Sequence, residues 1–393
     1  MLRLVRLALL LTAIPAVLRP ADRPAPAAKA PAAPTVEEGE IDGAKFTIAR
    51  PAVWNHRLLL IAHGLRAESA PLVADLVPGH LAYKTLLEEG WIVAKTSYRR
   101  NGAIVADAIA DLDALRARIA QADGDPERVL IEGESMGGLI GTLIAERPPD
   151  LDAEGHPLYT GVVAIGAALS FREANQSLGL SLQPKIPVLF LTNQSELEGP
   201  EKYVHAFVPH DRTDIRPVIF RVSRDGHVNV NQRERLAALH ALIHWIDEGR
   251  QSLPPPPSDT AFFDATVPPA PQPSQVERTE DGRGFVARIT EVSFGYGNLS
   301  LNAQPEDFAA AGIRPMTWFQ LKVGEKSFRV RYGRDFDSVK RGEWVAFPDA
   351  DGFTWLARNL GNAAATADVK AGDPMTLRRY DDPAAATGGE AAP

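Results

Sequence analysis

Residues 129–146 constrain the fold more than any other stretch. Val129-Leu130-Ile131 has the character of a buried strand and Gly138 to Glu146 that of a helix, with Gly133-Glu134-Ser135-Met136-Gly137 between them. A strand that turns into a helix so abruptly brings two backbones together, and glycines two before and two after the serine remove side chains that would collide. The serine is then held in a strained conformation with its hydroxyl above the sheet. The positive end of the helix, with the Met136 backbone N–H, points at the place where an oxyanion would form.

Around this unit β-type runs alternate with amphipathic stretches. Strands are expected near 57–62, 91–97, 129–132, 161–165, 186–191 and 218–222, and helices near 81–89, 103–122, after Ser135, and over 232–248. That alternation predicts an α/β fold with a mainly parallel sheet covered on both faces. Ala/Pro-rich residues up to 35, a Pro-rich stretch over 251–276 that includes Pro254-Pro255-Pro256-Pro257, and an Ala/Gly-rich tail over 382–393 bound two blocks, 36–250 and 277–381. The Pro-rich stretches are expected to be stiff spacers and the tail disordered. The second block changes period. Trp318 to Val323 and Lys326 to Arg331 alternate about Gly324-Glu325, and 344–347 pairs with 353–356, which predicts a smaller β-rich, barrel-like module.

A net charge of −8 with no basic bias argues against nucleic acid as a partner. With no cysteine, disulfide, thiolate and cysteine–metal chemistry are excluded; neither a metal nor a cofactor is expected. Arg3 and Arg6 lead an apolar stretch from Leu7 to Leu18, broken at Pro15 and followed by small residues. This is the pattern of a secretory signal peptide, too short for a comfortable membrane span, so residues 1–35 are expected to be a signal and tether and the mature chain periplasmic or secreted.

The serine turn, the order of elements and the closing helix resemble the α/β-hydrolase fold family over residues 45–250. The resemblance implies Ser135 as nucleophile and His227, in Asp225-Gly226-His227 after the last strand, as general base. Among the other histidines, His205 and His210 precede that strand, and His240 and His244 lie in the closing helix. The triad acid follows the strand near 186–191, where Glu196 is the best placed carboxylate and Glu198 and Asp225 are its rivals; aspartate is more usual there. Oxyanion donors would be the N–H groups of Met136 and of Leu65, after His63-Gly64, with Arg66 and Glu68 next in that loop. Serine rather than aspartate at the turn implies acyl transfer to water. The stretch from Trp91 to Gly102 is similar to one in exported esterases and in tannase-like or peptidase-like hydrolases, and the short stretch between Ala168 and Ile186 allows only a small lid. Glu132, a charge inside the nucleophile strand, needs a buried partner.

Residues 286–379 resemble the C-terminal domain of the S-adenosyl-L-methionine hydroxide adenosyltransferase family, through Tyr296-Gly297-Asn298-Leu299-Ser300-Leu301-Asn302, Val330-Arg331-Tyr332-Gly333, Lys340-Arg341-Gly342-Glu343 and Arg358 to Ala364. This implies an adenosyl-like ligand near Asn298, Asn359 and Asn362, and a homo-oligomer built through the domain. Phe294 stands where an aspartate is usual and Leu301 where a threonine is, and the family's N-terminal domain is missing. A reused module that packs, oligomerises or shapes the hydrolase site is therefore expected. Together the two blocks predict a serine hydrolase that cleaves a small-molecule carboxylic ester. The alternatives are a non-catalytic or adenosyl-ligand-binding scaffold and, less favoured, a peptidase.

Overall fold

A computed structural model describes residues 33–151, 155, 157–173, 176–209, 213–253 and 262–381. Residues 1–32 of the expected signal and tether, His210, the Pro254–Pro257 run and the tail over 382–393 lie outside the described residues. From Pro34 onward the chain forms one compact unit.

The first block runs β1 (Thr35–Ile41), β2 (Ala44–Arg50), β3 (Arg57–Ala62), α1 (Leu81–Glu88), β4 (Ile92–Thr96), α2 (Val105–Asp123), β5 (Arg128–Glu134), α3 (Met136–Glu146) and β6 (Gly161–Ile165). A two-residue pair, β7 (Arg172–Glu173) and β8 (Gln176–Ser177), precedes β9 (Val188–Asn193), α4 (Glu198–Ala206), β10 (Val218–Val222), α5 (Gln232–Glu248) and β11 (Phe263–Asp264). The main sheet has the order β1-β2-β4-β3-β5-β6-β9-β10-β11, parallel from β4 to β11 and antiparallel at β1 and β2. It is a sheet of the α/β-hydrolase type.

The central strands are apolar without interruption because both faces are buried. Leu58 and Leu60 of β3, Val129 and Ile131 of β5, and Val188 and Phe190 of β9 join the α2 and α3 core. Their neighbours Leu59, Ile61, Leu130, Leu189 and Leu191 join the core of α1 and α5. Two features depart from the sequence expectation. The β1–β2 hairpin closes through Asp42 (φ 49°) and Gly43 (φ 87°), a two-residue turn that needs positive φ at both positions. Phe263 and Asp264, inside the expected spacer, pair with Phe220 and Arg221 of β10 as an edge strand.

The second block runs β12 (Glu277–Arg278), β13 (Gly284–Val292), β14 (Leu299–Leu301), α6 (Pro305–Ala310), β15 (Trp318–Val323), β16 (Lys326–Tyr332), β17 (Trp344–Pro348), β18 (Thr354–Arg358), α7 (Ala363–Ala367) and β19 (Pro374–Arg379). The order β13-β14-β18-β17-β16-β15-β19 closes on itself by β13–β19 pairing, giving a seven-stranded barrel with β12 on its edge. Alternate residues such as Phe285, Leu301, Phe319, Leu321, Val330 and Leu377 fill the interior. Phe308 of α6 plugs it, with ring centroids 4.5 Å from Tyr332 and 5.1 Å from Phe285.

Candidate active site

Ser135 sits between β5 and α3 with φ 55° and ψ −114°, a conformation L-residues avoid. The approach that forces it is visible at the flanking glycines. A methyl group on Gly133 would overlap the Gly137 carbonyl, and one on Gly137 would overlap the Ala62 carbonyl at the end of β3. The turn is pinned by Ser135 N–H donating to Ile165 O (2.9 Å) and by Ala168 N–H donating to Ser135 O (3.0 Å).

His227 lies in the loop between β10 and α5, and its Nε2 is 2.7 Å from Ser135 Oγ while its Nδ1 is 2.5 Å from Glu196 Oε1. An ionised carboxylate only accepts, so Nδ1 carries the proton and Nε2 is left to accept from the serine hydroxyl. Burial lowers the His227 pKa, but the hydrogen bond and charge of Glu196, with Glu134 and Asp337 beyond, outweigh it and hold the pKa above the ordinary value. Glu196 ends a single helical turn, Gln194–Glu196, directly after β9. The rivals face elsewhere: Asp225 accepts from Gln194 Nε2 at 2.9 Å, and Glu198 opens α4.

The histidine loop is fastened by asparagines that sequence inspection did not single out. Asn229 N–H donates to Asn193 Oδ1 (2.9 Å), and Asn193 Nδ2 donates back to Asn229 O (2.9 Å). Asn229 Nδ2 donates both to Asp225 O within the loop and to Pro348 O at the end of β17, each at 3.0 Å. Asn231 caps α5 and reaches Ala350 O of the barrel at 3.3 Å. Buried asparagines must spend their amide hydrogens somewhere, but the partners of Asn193 on the histidine loop and of Asn229 on the barrel lie 36 and 119 residues away in sequence.

Across from the histidine, Met136 is the first residue of α3, so its N–H has no acceptor one turn back. The loop after β3 lies against the serine: a Cβ on Gly64 would stand 3.1 Å from Ser135 Cβ, and Leu65 follows it. His63 is buried, stacked on Tyr98 at 4.0 Å, and pushed down to about 3 by burial and then by Arg66 and Lys95, so it stays neutral. Arg66 is no loose surface charge. Its side chain is buried, pairs with Asp75 and donates to Val73 O (2.6 Å), and Lys95 Nζ shares the same Asp75 oxygen at 3.0 Å.

Glu132 has its partners. It points to the α1 and α5 side of the sheet, where Arg235 of α5 pairs with both Glu132 and Glu134 and the Tyr83 hydroxyl donates to Glu132 at 2.9 Å. Strand β5 is thereby tied to two helices beneath the turn.

The three asparagines of the barrel differ in their partners. Asn359 Nδ2 donates to Val339 O (3.0 Å), Asn362 caps α7 through Ala365 N–H (2.7 Å), and Asn298 Oδ1 is buried with no hydrogen-bond partner among the described residues. Only Asn362 lines the cleft described below. Among the described residues no cluster of three or more His, Asp or Glu side chains is arranged to hold a metal, and no helix is long and apolar enough to cross a membrane.

Sheet order, serine turn and the histidine loop after the penultimate strand define the first block as an α/β-hydrolase fold followed by a β-barrel. Residues 294–376, within the barrel, match the SAM hydroxide adenosyltransferase C-terminal domain family. No curated protein matches the chain. Among solved structures the chain is similar to a Xanthomonas campestris protein described as a member of the α/β serine hydrolases without lid, at 17% identity over 58% of this chain and 98% of that one, TM-score 0.37. It is also similar to a Thermus thermophilus protein at 19% identity over 55% of this chain and 99% of that one, TM-score 0.40. An uncharacterized conserved protein from Thermotoga maritima is 24% identical over 31% of this chain, TM-score 0.25; the chain spans 46% of that protein's length.

Proposed function

We propose that the chain is a serine hydrolase that cleaves a carboxylic ester through an acyl-enzyme on Ser135. One observation carries the reading: the unbroken hydrogen-bonded series Ser135 Oγ, His227 Nε2, His227 Nδ1, Glu196 Oε1, at 2.7 and 2.5 Å. In the first half-reaction Ser135 Oγ attacks the ester carbonyl carbon as its proton passes to His227 Nε2. The tetrahedral oxyanion is met by the N–H groups of Met136 and Leu65. The imidazolium, steadied by Glu196, then gives the proton to the alkoxide as the C–O bond breaks and the alcohol leaves. Water repeats the sequence on the acyl-enzyme and releases the acid and the free serine.

Export is part of the proposal and rests on the signal-like pattern of residues 1–35. A fluorophosphonate probe tests the chemistry. Wild type is expected to take up one label per chain and Ser135→Ala none; a wild type that stays unlabelled overturns the proposal.

A further inference from the structure

A cleft of about 560 Å³ lies between the oxyanion loop of the first block and two loops of the barrel. Ala67 and Ser69 to Pro71 form one wall, and Val292 to Gly297, Leu360 to Asn362 and residues of α7 and its C-terminal end form the other. We infer that this cleft is the specificity subsite for an uncharged aromatic group on the ester, with the barrel supplying its aromatic wall. The inference rests on Ser135 being the nucleophile and names the class of substrate that site would take.

Position comes first. Gly64 lies against Ser135, and Ala67 is three residues further on, so at 3.8 Å per residue the wall begins within about 11 Å of that contact. The barrel closes directly over this short segment: a Cβ on Gly295 would stand 3.3 Å from Arg66 Cγ, one residue past Leu65. Arg66 is fixed by Asp75, so the wall is rigid.

Lining chemistry then selects the group. Phe294 is 56% exposed, and Tyr296, Leu360, Val292 and Val369 line the same cleft beside it. Gly295, Gly297, Ala364 and Ala365 leave room for a flat ring, and the volume suits a ring-bearing ligand. No lysine or arginine lines the cleft, and exposed Asp368 opposes an anion, so an anionic acyl or alcohol group finds no partner. The Tyr296 hydroxyl and Asn362 Nδ2 make no hydrogen bond to another described residue and remain for polar substituents on the ring. Leu360 (φ 52°) is held in the left-handed region on its border, strain of the kind that gathers at ligand sites.

The test uses the full chain and two ester pairs, methyl 2-naphthoate against methyl acetate and 2-naphthyl acetate against ethyl acetate, with rates normalised to the serine titre from fluorophosphonate labelling. In at least one pair, Phe294→Ala and the cleft-filling Ala365→Trp are expected to lower the aryl-to-alkyl ratio of kcat/KM about tenfold relative to wild type. If both variants keep the ratio within twofold of wild type in both pairs, or a fully labelled wild type hydrolyses none of the four esters, the cleft assignment is wrong while Ser135 chemistry stands. A wild type that takes no label ends both.

Discussion

His227 is pulled two ways: burial favours the neutral ring, and the Glu196 carboxylate at 2.5 Å favours the imidazolium. The second prevails, so the base is protonated below a pKa raised above the ordinary histidine value, and kcat/KM is expected to rise with pH through that raised value. In Glu196→Gln the largest raising influence is gone and burial remains, opposed only by the more distant Glu134 and Asp337, so the inflection is expected to move to lower pH. The amide also weakens the hold on the productive tautomer, and kcat is expected to fall about 10²–10⁴-fold. A pH–rate profile of both proteins checks this, and an unmoved inflection would mean that Glu196 does not control the imidazole. Ser135 and the flanking glycines were legible because their spacing is local. Glu196 was left open against Glu198 and Asp225, because which carboxylate meets an imidazole 31 residues away depends on side-chain direction.

At the scale of elements, β5 carries a carboxylate through the middle of the sheet because α5 supplies Arg235 beneath it. Removing one partner of a buried ion pair strands the other, so Arg235→Met is expected to cost about 3–5 kcal/mol of stability, whereas the double variant Glu132→Met/Arg235→Met should recover part of that loss. Denaturant unfolding of the three proteins reads the difference; equal losses in single and double variants would show that the pair is not the source of the cost. The need for a partner was plain from a glutamate in an apolar run, but its identity was not, since Arg235 is one of many charges on a helix that reads as amphipathic. The β1–β2 hairpin went unread although its signal is local: Asp42-Gly43 between two strand-like runs suits a two-residue turn. Strand β9 continues through the polar Thr192 and Asn193 because β10 pairs with them, although by composition they resemble loop.

Across the whole molecule, the barrel holds the His227 loop. Asn229 and Asn231 hydrogen-bond to carbonyls at Pro348 and Ala350, so the segment that carries His227 is braced from the second block. Asn229→Ala removes two hydrogen bonds worth about 1 kcal/mol each and frees the loop without touching a reacting atom. It is expected to lower kcat about tenfold with little change in KM and a small change in thermal midpoint. Steady-state kinetics with calorimetry would reveal this, and equal effects on kcat and KM would argue against a positioning role.

The sequence by itself determined the alternation that builds the parallel sheet, the tight turn at Ser135, the candidate histidine and the barrel-like second block, because each is written in local spacing, periodicity or turn chemistry. Tertiary structure alone decided which carboxylate meets His227, what neutralises Glu132, and that barrel loops wall a cleft beside the loop after β3. Those outcomes depend on contacts between residues far apart in the chain, whose meeting is set by packing and strand order and leaves no mark on their neighbours in sequence.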